Sequence, residues 1–278
     1  MSYYTMLGLN TEPFSTSPDP AFLFRSTSHL QALSRLEIAI RLKRGLSVIL
    51  GDVGTGKTTL ARTLVANFEG DDEILAHLML DPAYETEYQF LHHLCRMFGA
   101  RPAFKSSLDC REAIEHTLFQ RGVAEGKTMV LVIDEGQKLS MEILENLRVL
   151  LNYETNQYKL LQVVIFSQME LLPRIKRITN FLDRVALKYI INPLDERETA
   201  ELIQFRLQAA GLEPRAVLFT PEAIRSIHRF TQGYPRKVAM VCHDALEQLV
   251  MREQSCVDEP LIEELVNHES RWAEDTLA

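Results

Sequence analysis

Residues 46–59 read LSVILGDVGTGKTT, and this segment carries the most informative motif of the sequence. The apolar run Leu46–Leu50 is typical of a short buried strand. Gly51–Thr58 then places glycines, a lysine and a threonine at the spacing of a phosphate-binding loop. A helix that begins near Lys57 would direct its free backbone N–H groups and its positive dipole end at this loop. The stretch therefore predicts a strand, a loop that binds phosphate oxygens and a helix, in that order.

Two side chains of the loop have defined chemical roles. Lys57 would neutralise the β- and γ-phosphates of a nucleoside triphosphate, and Thr58 would bind Mg²⁺. A glycine-rich turn without a ligand is the alternative interpretation. The residues of this predicted nucleotide-binding loop are Gly51, Asp52, Val53, Gly54, Thr55, Gly56, Lys57, Thr58 and Thr59.

A second pattern joins an apolar strand to two carboxylates. Met129–Ile133 is apolar, and Asp134 and Glu135 follow it directly. At the carboxyl edge of a sheet, Asp134 would position Mg²⁺ through its water shell, and Glu135 would orient or deprotonate the attacking water. An ordinary strand exit is the alternative. Because phosphoryl transfer needs mainly positioning and charge stabilisation, this pair complements the loop and predicts hydrolysis of the bound nucleotide.

Strand and helix patterns alternate on both sides of these motifs. This alternation predicts an α/β fold with a parallel five-stranded sheet and helical crossovers. The predicted strands are Leu46–Leu50, Ile74–Leu80, Met129–Ile133, Leu161–Phe166 and Val185–Ile191. The predicted helices of this part are Ser28–Arg44, Lys57–Phe68, Thr86–Phe98, Leu108–Arg121 and Met141–Asn152.

The strand pattern stops near Pro193, and only helical segments follow. We therefore predict two domains. The first is an α/β nucleotide-binding domain over residues 1–193, with an N-terminal segment over 1–45, and the second is a small all-α lid domain over 194–278 that ends in an acidic tail. The predicted helices of the lid are Glu196–Ala210, Pro221–Phe230, Pro235–Gln254 and Pro260–His268.

The composition is that of an ordinary folded protein. Hydrophobic residues make up 46% and charged residues 24% of the 278 residues, which excludes disordered and collagen-like classes. The formal charge is −8, but residues 253–275 hold eight acidic side chains against one arginine, so the rest of the chain is nearly neutral. The net charge therefore does not indicate a class of partner.

The cysteines and the hydropathy pattern bear on the compartment. Cys95, Cys110, Cys242 and Cys256 lack CxxC spacing and lie in segments of apolar periodicity. We expect buried reduced thiols, with disulfides or zinc ligation as the alternative. The first residues lack a basic and then apolar leader pattern, and no stretch reaches about 18 uncharged apolar residues. We therefore expect a cytoplasmic protein with no direct membrane span.

Several motifs spread over nearly the whole chain carry a resemblance to a known family. They are Tyr4-x-x-Leu7-Gly8-Leu9, Pro13-Phe14-Ser15, Pro18-Asp19-Pro20-x-Phe22-Leu23-Phe24, His29 with Leu33, the loop 51–59, Ile133-Asp134-Glu135-x-Gln137-x-Leu139 and Gly233-x-Pro235-Arg236. Together they resemble AAA+ ATPases, and among these the bacterial ExeA/GspA general secretion family with its short pilus-associated relative MshM. The chain departs from the family pattern at Gly136, where alanine is usual, and at Ser167-Gln168, where the family resembles Gly-Gln.

The resemblance implies roles for three further residues. Gln168 would be the first sensor of the γ-phosphate, with a strand cap as the alternative. Arg184 would be the arginine finger that reaches a neighbouring subunit's nucleotide, with an ion pair to Asp183 or another local carboxylate as the alternative. Arg236 would be the second sensor, with a solvated helix N-terminus as the alternative. The stretch 13–24 resembles the segment that flanks the adenine.

The resemblance also implies a function. Such a protein binds ATP with Mg²⁺, forms ring-like homo-oligomers and drives assembly or remodelling in type II secretion or pilus biogenesis. Its partner would be an envelope secretion or pilus protein, which could recruit it to the inner membrane.

The alternative function is regulation on duplex DNA, as in transposition target-selection or initiator-like ATPases. Its support is a set of basic residues between positions 173 and 189, where Asp183 is the acidic one, and a second basic cluster upstream. A subunit interface or a solvated face also fits these residues. The first set is Arg174, Lys176, Arg177, Arg184 and Lys188, and the second is Arg41, Lys43 and Arg44.

Overall fold

The computed structural model describes residues 2–15, 24–103, 105–213 and 216–277, with side chains of the last helix described as far as His268. The strands are β1 (Leu46–Gly51), β2 (Ile74–Met79), β3 (Thr128–Ile133), β4 (Leu161–Ser167) and β5 (Val185–Ile191). The helices are α1 (Tyr3–Met6), α2 (Thr27–Arg41), α3 (Lys57–Ala66), α4 (Glu87–Phe98), α5 (Ser107–Phe119), α6 (Met141–Leu150), α7 (Leu171–Ile175), α8 (Glu196–Ala209), α9 (Pro221–Thr231), α10 (Pro235–Met251) and α11 (Glu259–Leu277). Single turns of π-helix and 3₁₀-helix occupy Gln120–Ala124, Gly136–Lys138 and Leu182–Arg184.

The chain divides into two compact units. The helical unit contains Met1–Ser26, Gly54–Gly56 and Asn192–Ala278, and the α/β unit contains Thr27–Val53 and Lys57–Ile191. Each unit has its own buried apolar core. No helix among the described residues is both long and apolar enough to span a membrane.

The five strands form one parallel sheet in the order β2-β3-β4-β1-β5. This confirms the predicted α/β fold with a five-stranded parallel sheet. Strand β4 lies between β1 and β3, with Leu50 opposite Ser167 and Ile133 opposite Ile165. Because the carboxyl ends of parallel strands meet at one edge, the residues that follow β1, β3 and β4 lie close together.

The inner strands are continuous apolar runs because both faces of the sheet are covered. Every residue of β1 is buried. Val48 and Leu50 pack into the core that includes α4, α5 and α6, whereas Ile49 packs on the opposite face with residues of α2 and α3. Full burial of one such side chain stabilises the fold by roughly 1.5–3 kcal/mol. This two-sided burial holds β1 inside the sheet and so fixes the position of its carboxyl end, where the phosphate loop begins.

Three helices end three or more residues away from their predicted ends, and one of them, α10, ends at Met251 rather than Gln254. Helix α2 ends at Arg41, whereas the sequence predicts Arg44, because Lys43 adopts a left-handed backbone with φ of 51°. Helix α11 continues to Leu277, beyond the predicted end at His268. The residues after His268 include no glycine or proline, so nothing in the sequence interrupts the helix there.

The N-terminal segment packs with the helices of the helical unit. Leu9 and Phe14 are buried in that core, and the ring of Phe14 meets the ring of Phe219 edge-on at 6.1 Å between centroids. The sequence predicts residues 1–45 as part of the nucleotide-binding domain, whereas the structure groups Met1–Ser26 with the C-terminal helices. The physical reason is the burial of these apolar side chains among α8, α9 and α10.

All four cysteines are free thiols. Cys95, Cys110 and Cys242 are buried, and Cys256 is partly exposed. Burial raises the pKa of the Cys95 thiol to about 12 and also raises the pKa of the Cys242 thiol. These buried thiols therefore remain protonated at neutral pH and contribute as small apolar groups.

Candidate functional site

The predicted phosphate loop lies between the end of β1 and the start of α3. Gly54 and Gly56 have φ values of 83° and 90°, in the left-handed region that glycine adopts without a Cβ penalty. Lys57 is only 8% exposed, and its Nζ donates to the carbonyls of Gly51 at 2.9 Å and Asp52 at 2.7 Å. The loop therefore folds around the buried ammonium group of its own lysine.

Burial lowers the pKa of Lys57, and the nearby carboxylates of Asp134 and Glu135 oppose that shift. A buried cation is stabilised when an anion replaces the water it has lost. A phosphate oxygen beside Lys57 would therefore stabilise the charged form of its buried ammonium group.

The two motifs predicted from sequence meet through one hydrogen bond. Thr58 Oγ1 donates to Asp134 Oδ2 at 2.6 Å, and Asp134 is 2% exposed. Burial raises the pKa of Asp134, and the hydrogen bond from Thr58 lowers it. The other carboxylate oxygen, Oδ1, is buried and finds no hydrogen-bond partner within the described part of the chain.

That orphaned oxygen tests whether these residues suit Mg²⁺. A buried carboxylate oxygen without a partner costs free energy unless a ligand or water satisfies it. Mg²⁺ prefers oxygen ligands and keeps several waters, which is what a hydroxyl and a carboxylate side by side provide. Thr58 and Asp134 therefore fit the metal.

Glu135 begins the 3₁₀ turn that follows β3. Its backbone is left-handed with φ of 53°, and its Oε2 accepts a hydrogen bond from Gln137 Nε2 at 2.6 Å. Gly136 allows this turn to lie on β4, because a Cβ there would collide with Ile165 Cγ2 and lie 3.1 Å from Ser167 Cβ. In this chain an alanine at position 136 would therefore require Ile165 to shift.

Gln168, the predicted first sensor, follows β4 at the same edge of the sheet. Its backbone N–H donates to Gln137 Oε1 at 3.2 Å. The hydroxyl of Ser167, which is fully buried, lies 3.1 Å from the Gln168 carbonyl and 3.3 Å from Gln137 Oε1, and its single proton is shared between these two acceptors. Gln137 thus links the backbone of Gln168 to the side chain of Glu135. The sensing role of the Gln168 side chain stays a prediction.

Gln137 and Arg174 are site residues to which the sequence reasoning assigned no catalytic role. Arg174 Nη1 donates to the carbonyls of Gln137 at 2.7 Å and Leu139 at 3.0 Å. The sequence counts Arg174 only as part of a basic segment. Its helix α7 spans five residues, which is too short for a periodic pattern to be recognised in the sequence. For Gln137, the available signal is its position two residues after Glu135.

Arg184, the predicted arginine finger, lies at the end of a 3₁₀ turn directly before β5. Its Nη1 donates to Oδ1 of Asn152, and its Nε is buried without a hydrogen-bond partner in the part of the chain that the structure describes. The partner seen for this guanidinium is thus an amide oxygen rather than the carboxylate of Asp183. A role in a neighbouring subunit stays a prediction.

Arg236, the predicted second sensor, is the second residue of α10. Within the helical unit, its backbone N–H donates to the carbonyl of Gly54 at 3.3 Å, and its side chain is exposed. Gly233, three residues earlier, has φ of 71°, and a Cβ there would collide with the backbone of Leu194. Of the predicted adenine-flanking stretch 13–24, residues 16–23 lie outside the described residues.

Comparisons with known proteins agree with this geometry. The AAA domain family matches residues 40–175. General secretion pathway protein A of Aeromonas hydrophila is 34% identical over 247 residues, which are 88% of this chain and 44% of that protein. The chain therefore spans less than half the length of this relative.

Solved structures share the fold at low identity. The ORC2 protein of Aeropyrum pernix, in ADPNP and ADP complexes, has a TM-score of 0.67 at 18% identity and covers 93% of this chain and 71% of its own. The ORC1 protein of the same organism, in complex with DNA, has a TM-score of 0.61 at 17% identity and covers 90% and 68%. At such identity these structures establish the fold alone.

Proposed function

We propose that the chain binds ATP with Mg²⁺ and hydrolyses it. The proposal is supported by the AAA fold of the P-loop NTPases and by the relation to general secretion pathway protein A. The observation that carries this proposal is the hydrogen bond from Thr58 to Asp134, 2.6 Å long, beside the buried ammonium group of Lys57. It joins a phosphate loop to a strand-end carboxylate in the arrangement that phosphoryl transfer requires.

Each residue contributes a distinct part of the chemistry. Lys57 exchanges its bonds with the loop carbonyls for bonds to phosphate oxygens. Thr58 and Asp134 would hold Mg²⁺, which when bound neutralises charge on the phosphate oxygens. Glu135 orients a water and accepts its proton. Gln168, Arg184 and Arg236 sense or stabilise the γ-phosphate, with Arg184 acting across a subunit boundary.

The wider function we propose is that of an ATP-dependent homo-oligomer, ring-like in form, that drives assembly or remodelling in type II secretion or pilus biogenesis. Its support is the relation to general secretion pathway protein A over most of this chain. An envelope secretion or pilus protein would then be the partner.

The decisive experiment compares nucleotide binding with turnover in Glu135→Gln. Loss of the water-orienting carboxylate should lower hydrolysis by about a hundredfold or more and leave binding of a fluorescent ATP analogue unchanged. Glu142→Gln, an exposed carboxylate in the first turn of α6, is the matched control and should behave as wild type. Lys57→Ala should weaken binding itself. Normal turnover in Glu135→Gln would contradict the assignment.

A DNA-associated function is the second candidate. Lys176, Arg177 and Lys188 are exposed in the α/β unit, and the ORC1 protein of similar fold was determined with DNA. Arg174 supports this candidate less, because its guanidinium already donates to two backbone carbonyls.

Light scattering of Glu135→Gln with ATP and Mg²⁺, with and without a DNA duplex, separates the two candidates. An oligomer that forms without DNA supports the secretion or pilus function. An oligomer that requires DNA, and that dissociates steeply as salt rises, supports the DNA function because phosphate contacts release counterions. In that case Lys176→Gln with Arg177→Gln should weaken assembly, whereas the DNA-independent oligomer should be unaffected by this change.

A further inference from the structure

We propose that Gln137 is a positioning residue that fixes the carboxylate of Glu135 and links it to the end of β4 at Ser167 and Gln168. This inference rests on the proposed function, since it assumes that Glu135 acts on the attacking water. The link consists of two hydrogen bonds made by one side-chain amide, to Glu135 and to the Gln168 N–H, and of a longer contact with the Ser167 hydroxyl, which also reaches the Gln168 carbonyl, all within the α/β unit.

The orientation of the Gln137 amide follows from its partners. The backbone N–H of Gln168 can only donate, so the atom that it meets at 3.2 Å must be the carbonyl oxygen of the amide. The NH₂ group must then face Glu135, whose ionised carboxylate can only accept, at 2.6 Å. A flipped amide would set donor against donor and acceptor against acceptor, so the network permits one arrangement.

The turn that carries Gln137 is itself held in place. Arg174 donates to the Gln137 and Leu139 carbonyls, which restrains the backbone of the turn. Charge-assisted hydrogen bonds of this kind are stronger than neutral ones. Gln137 therefore has restrained main-chain and side-chain positions, which is what a residue needs in order to orient another.

The consequence for Glu135 is a carboxylate with one committed oxygen. Oε2 accepts from the Gln137 amide, so the rotation of the carboxylate is restricted and Oε1 is directed elsewhere. A carboxylate held in one orientation has less conformational freedom to lose when it engages a water. A change at Ser167 or Gln168, where the γ-phosphate sensor is predicted, would reach Glu135 through the same amide.

The test is Gln137→Met, which keeps the length of the side chain and removes both halves of the amide. We expect kcat for ATP hydrolysis to fall about tenfold, the effect of losing one hydrogen bond to a charged group, with KM and binding of the fluorescent ATP analogue within about twofold of wild type. Gln137→Glu should be slower still, because it places a second carboxylate against Glu135.

Gln162→Met is the matched control. Gln162 is a buried glutamine near the start of β4, and it accepts from the Gly45 N–H at 2.7 Å and donates to the Lys159 carbonyl at 2.8 Å. Its loss removes a comparable set of hydrogen bonds at the other end of β4, so it should lower the midpoint of thermal unfolding without changing kcat of the folded protein. An equal fall of kcat in both variants would overturn the proposal.

A second readout tests whether Gln137 acts through Glu135. In a Glu135→Gln background, single-turnover hydrolysis should be no slower after Gln137→Met is added, because the group that Gln137 positions is already gone. A further tenfold loss in that background would overturn the proposal. If Gln137→Met does not fold, Ser167→Ala serves instead, since it removes a hydroxyl within hydrogen-bond distance of the Gln137 amide oxygen and should lower kcat by a smaller factor.

The outcomes also separate this inference from the function on which it rests. Undiminished hydrolysis in Glu135→Gln would refute the proposed role of Glu135 itself. Loss of hydrolysis in Glu135→Gln together with unchanged kcat in Gln137→Met would refute only the role of Gln137.

Discussion

Thr58 and Asp134 lie 76 residues apart in the sequence and share a hydrogen bond of 2.6 Å. One follows β1 and the other follows β3, and the two strands are separated in the sheet by β4. The bond engages only one of the two carboxylate oxygens of Asp134, and the other is buried without a partner among the described residues. The hydroxyl thus orients the carboxylate and leaves its second, buried oxygen for a further ligand such as a metal ion.

Thr58→Val should therefore impair the use of Mg²⁺. The substitution keeps the shape and removes the hydroxyl, so we expect the Mg²⁺ concentration for half-maximal hydrolysis to rise and the maximal rate to fall by about a hundredfold. Thr58→Ser keeps the hydroxyl and should stay within about threefold of wild type. Magnesium titrations of steady-state hydrolysis measure both quantities. Equal behaviour of the two variants would show that the hydroxyl has no part in metal binding.

Arg184→Ala should lose hydrolysis and recover it in mixed assemblies with Glu135→Gln. Each variant supplies what the other lacks, because a subunit with an intact Glu135 can receive Arg184 from its neighbour. Mixing the two purified variants and measuring phosphate release tests this.

Asn152→Ala is the control for a purely local role of Arg184. It removes the amide to which Arg184 donates. If Arg184 only stabilises its own unit, Asn152→Ala should lose activity as well and mixing should restore nothing. Normal activity of Asn152→Ala with recovery in the mixture supports the action across a boundary.

Gly136→Ala should lower the stability of the α/β unit. The added Cβ would collide with Ile165 Cγ2, a methyl group of a β-branched side chain that has little freedom to move. It would also lie 3.2 Å from the Phe166 carbonyl oxygen. Overpacking of this kind costs about 1–3 kcal/mol, which urea unfolding would measure. Gly122→Ala is the comparison, because there the Cβ meets the flexible end of Leu160 at 2.8 Å and the cost should be smaller. A larger loss at Gly122 would contradict this account.

Stability should fall in alkaline solution because of the buried thiols. Burial raises the pKa of Cys95 from its ordinary 9.0 to about 12, so between these values the unfolded chain releases a proton that the folded chain keeps. The free energy of unfolding therefore decreases with rising pH, by up to about 1.4 kcal/mol per pH unit for one thiol.

Cys95→Ala removes this contribution and should flatten the pH dependence of the free energy of unfolding above about pH 9. Leu91→Ala, an apolar truncation in the same helix, should lower stability without changing that dependence. Urea unfolding at several pH values measures the slope. An unchanged slope in Cys95→Ala would mean that its thiol ionises equally well in both states.

The scaffold of the site is predictable from sequence because the inner strands are buried on both faces. Such strands are short apolar runs with sharp ends, and each predicted strand begins within one residue of the observed one. The loop residues and the Asp134–Glu135 pair follow these ends directly, so their places are fixed once the strands are known. The same reasoning assigns the N-terminal segment to the nucleotide-binding domain, because it cannot foresee that Leu9 and Phe14 are buried by helices about 200 residues away.

The hydrogen bonds around Glu135 are less predictable because they depend on rotamers and on the order of strands. Gln137 meets Ser167 only because β4 is the neighbour of β3 in the sheet, and no local pattern encodes that neighbour. Arg174 lies on a helix of five residues, where periodicity gives no signal. These contacts appear only when the chain is folded.

The sheet order has a consequence for partly unfolded forms of the chain. Strands β2 and β5 are the two edges, and an edge strand detaches at the loss of one ladder of hydrogen bonds rather than two. The phosphate loop and Asp134 follow the inner strands β1 and β3, and Ser167 is the last residue of the inner strand β4. Fraying at either margin of the sheet would therefore leave these residues assembled, so the nucleotide could stay bound while an edge is open to exchange or to a protease.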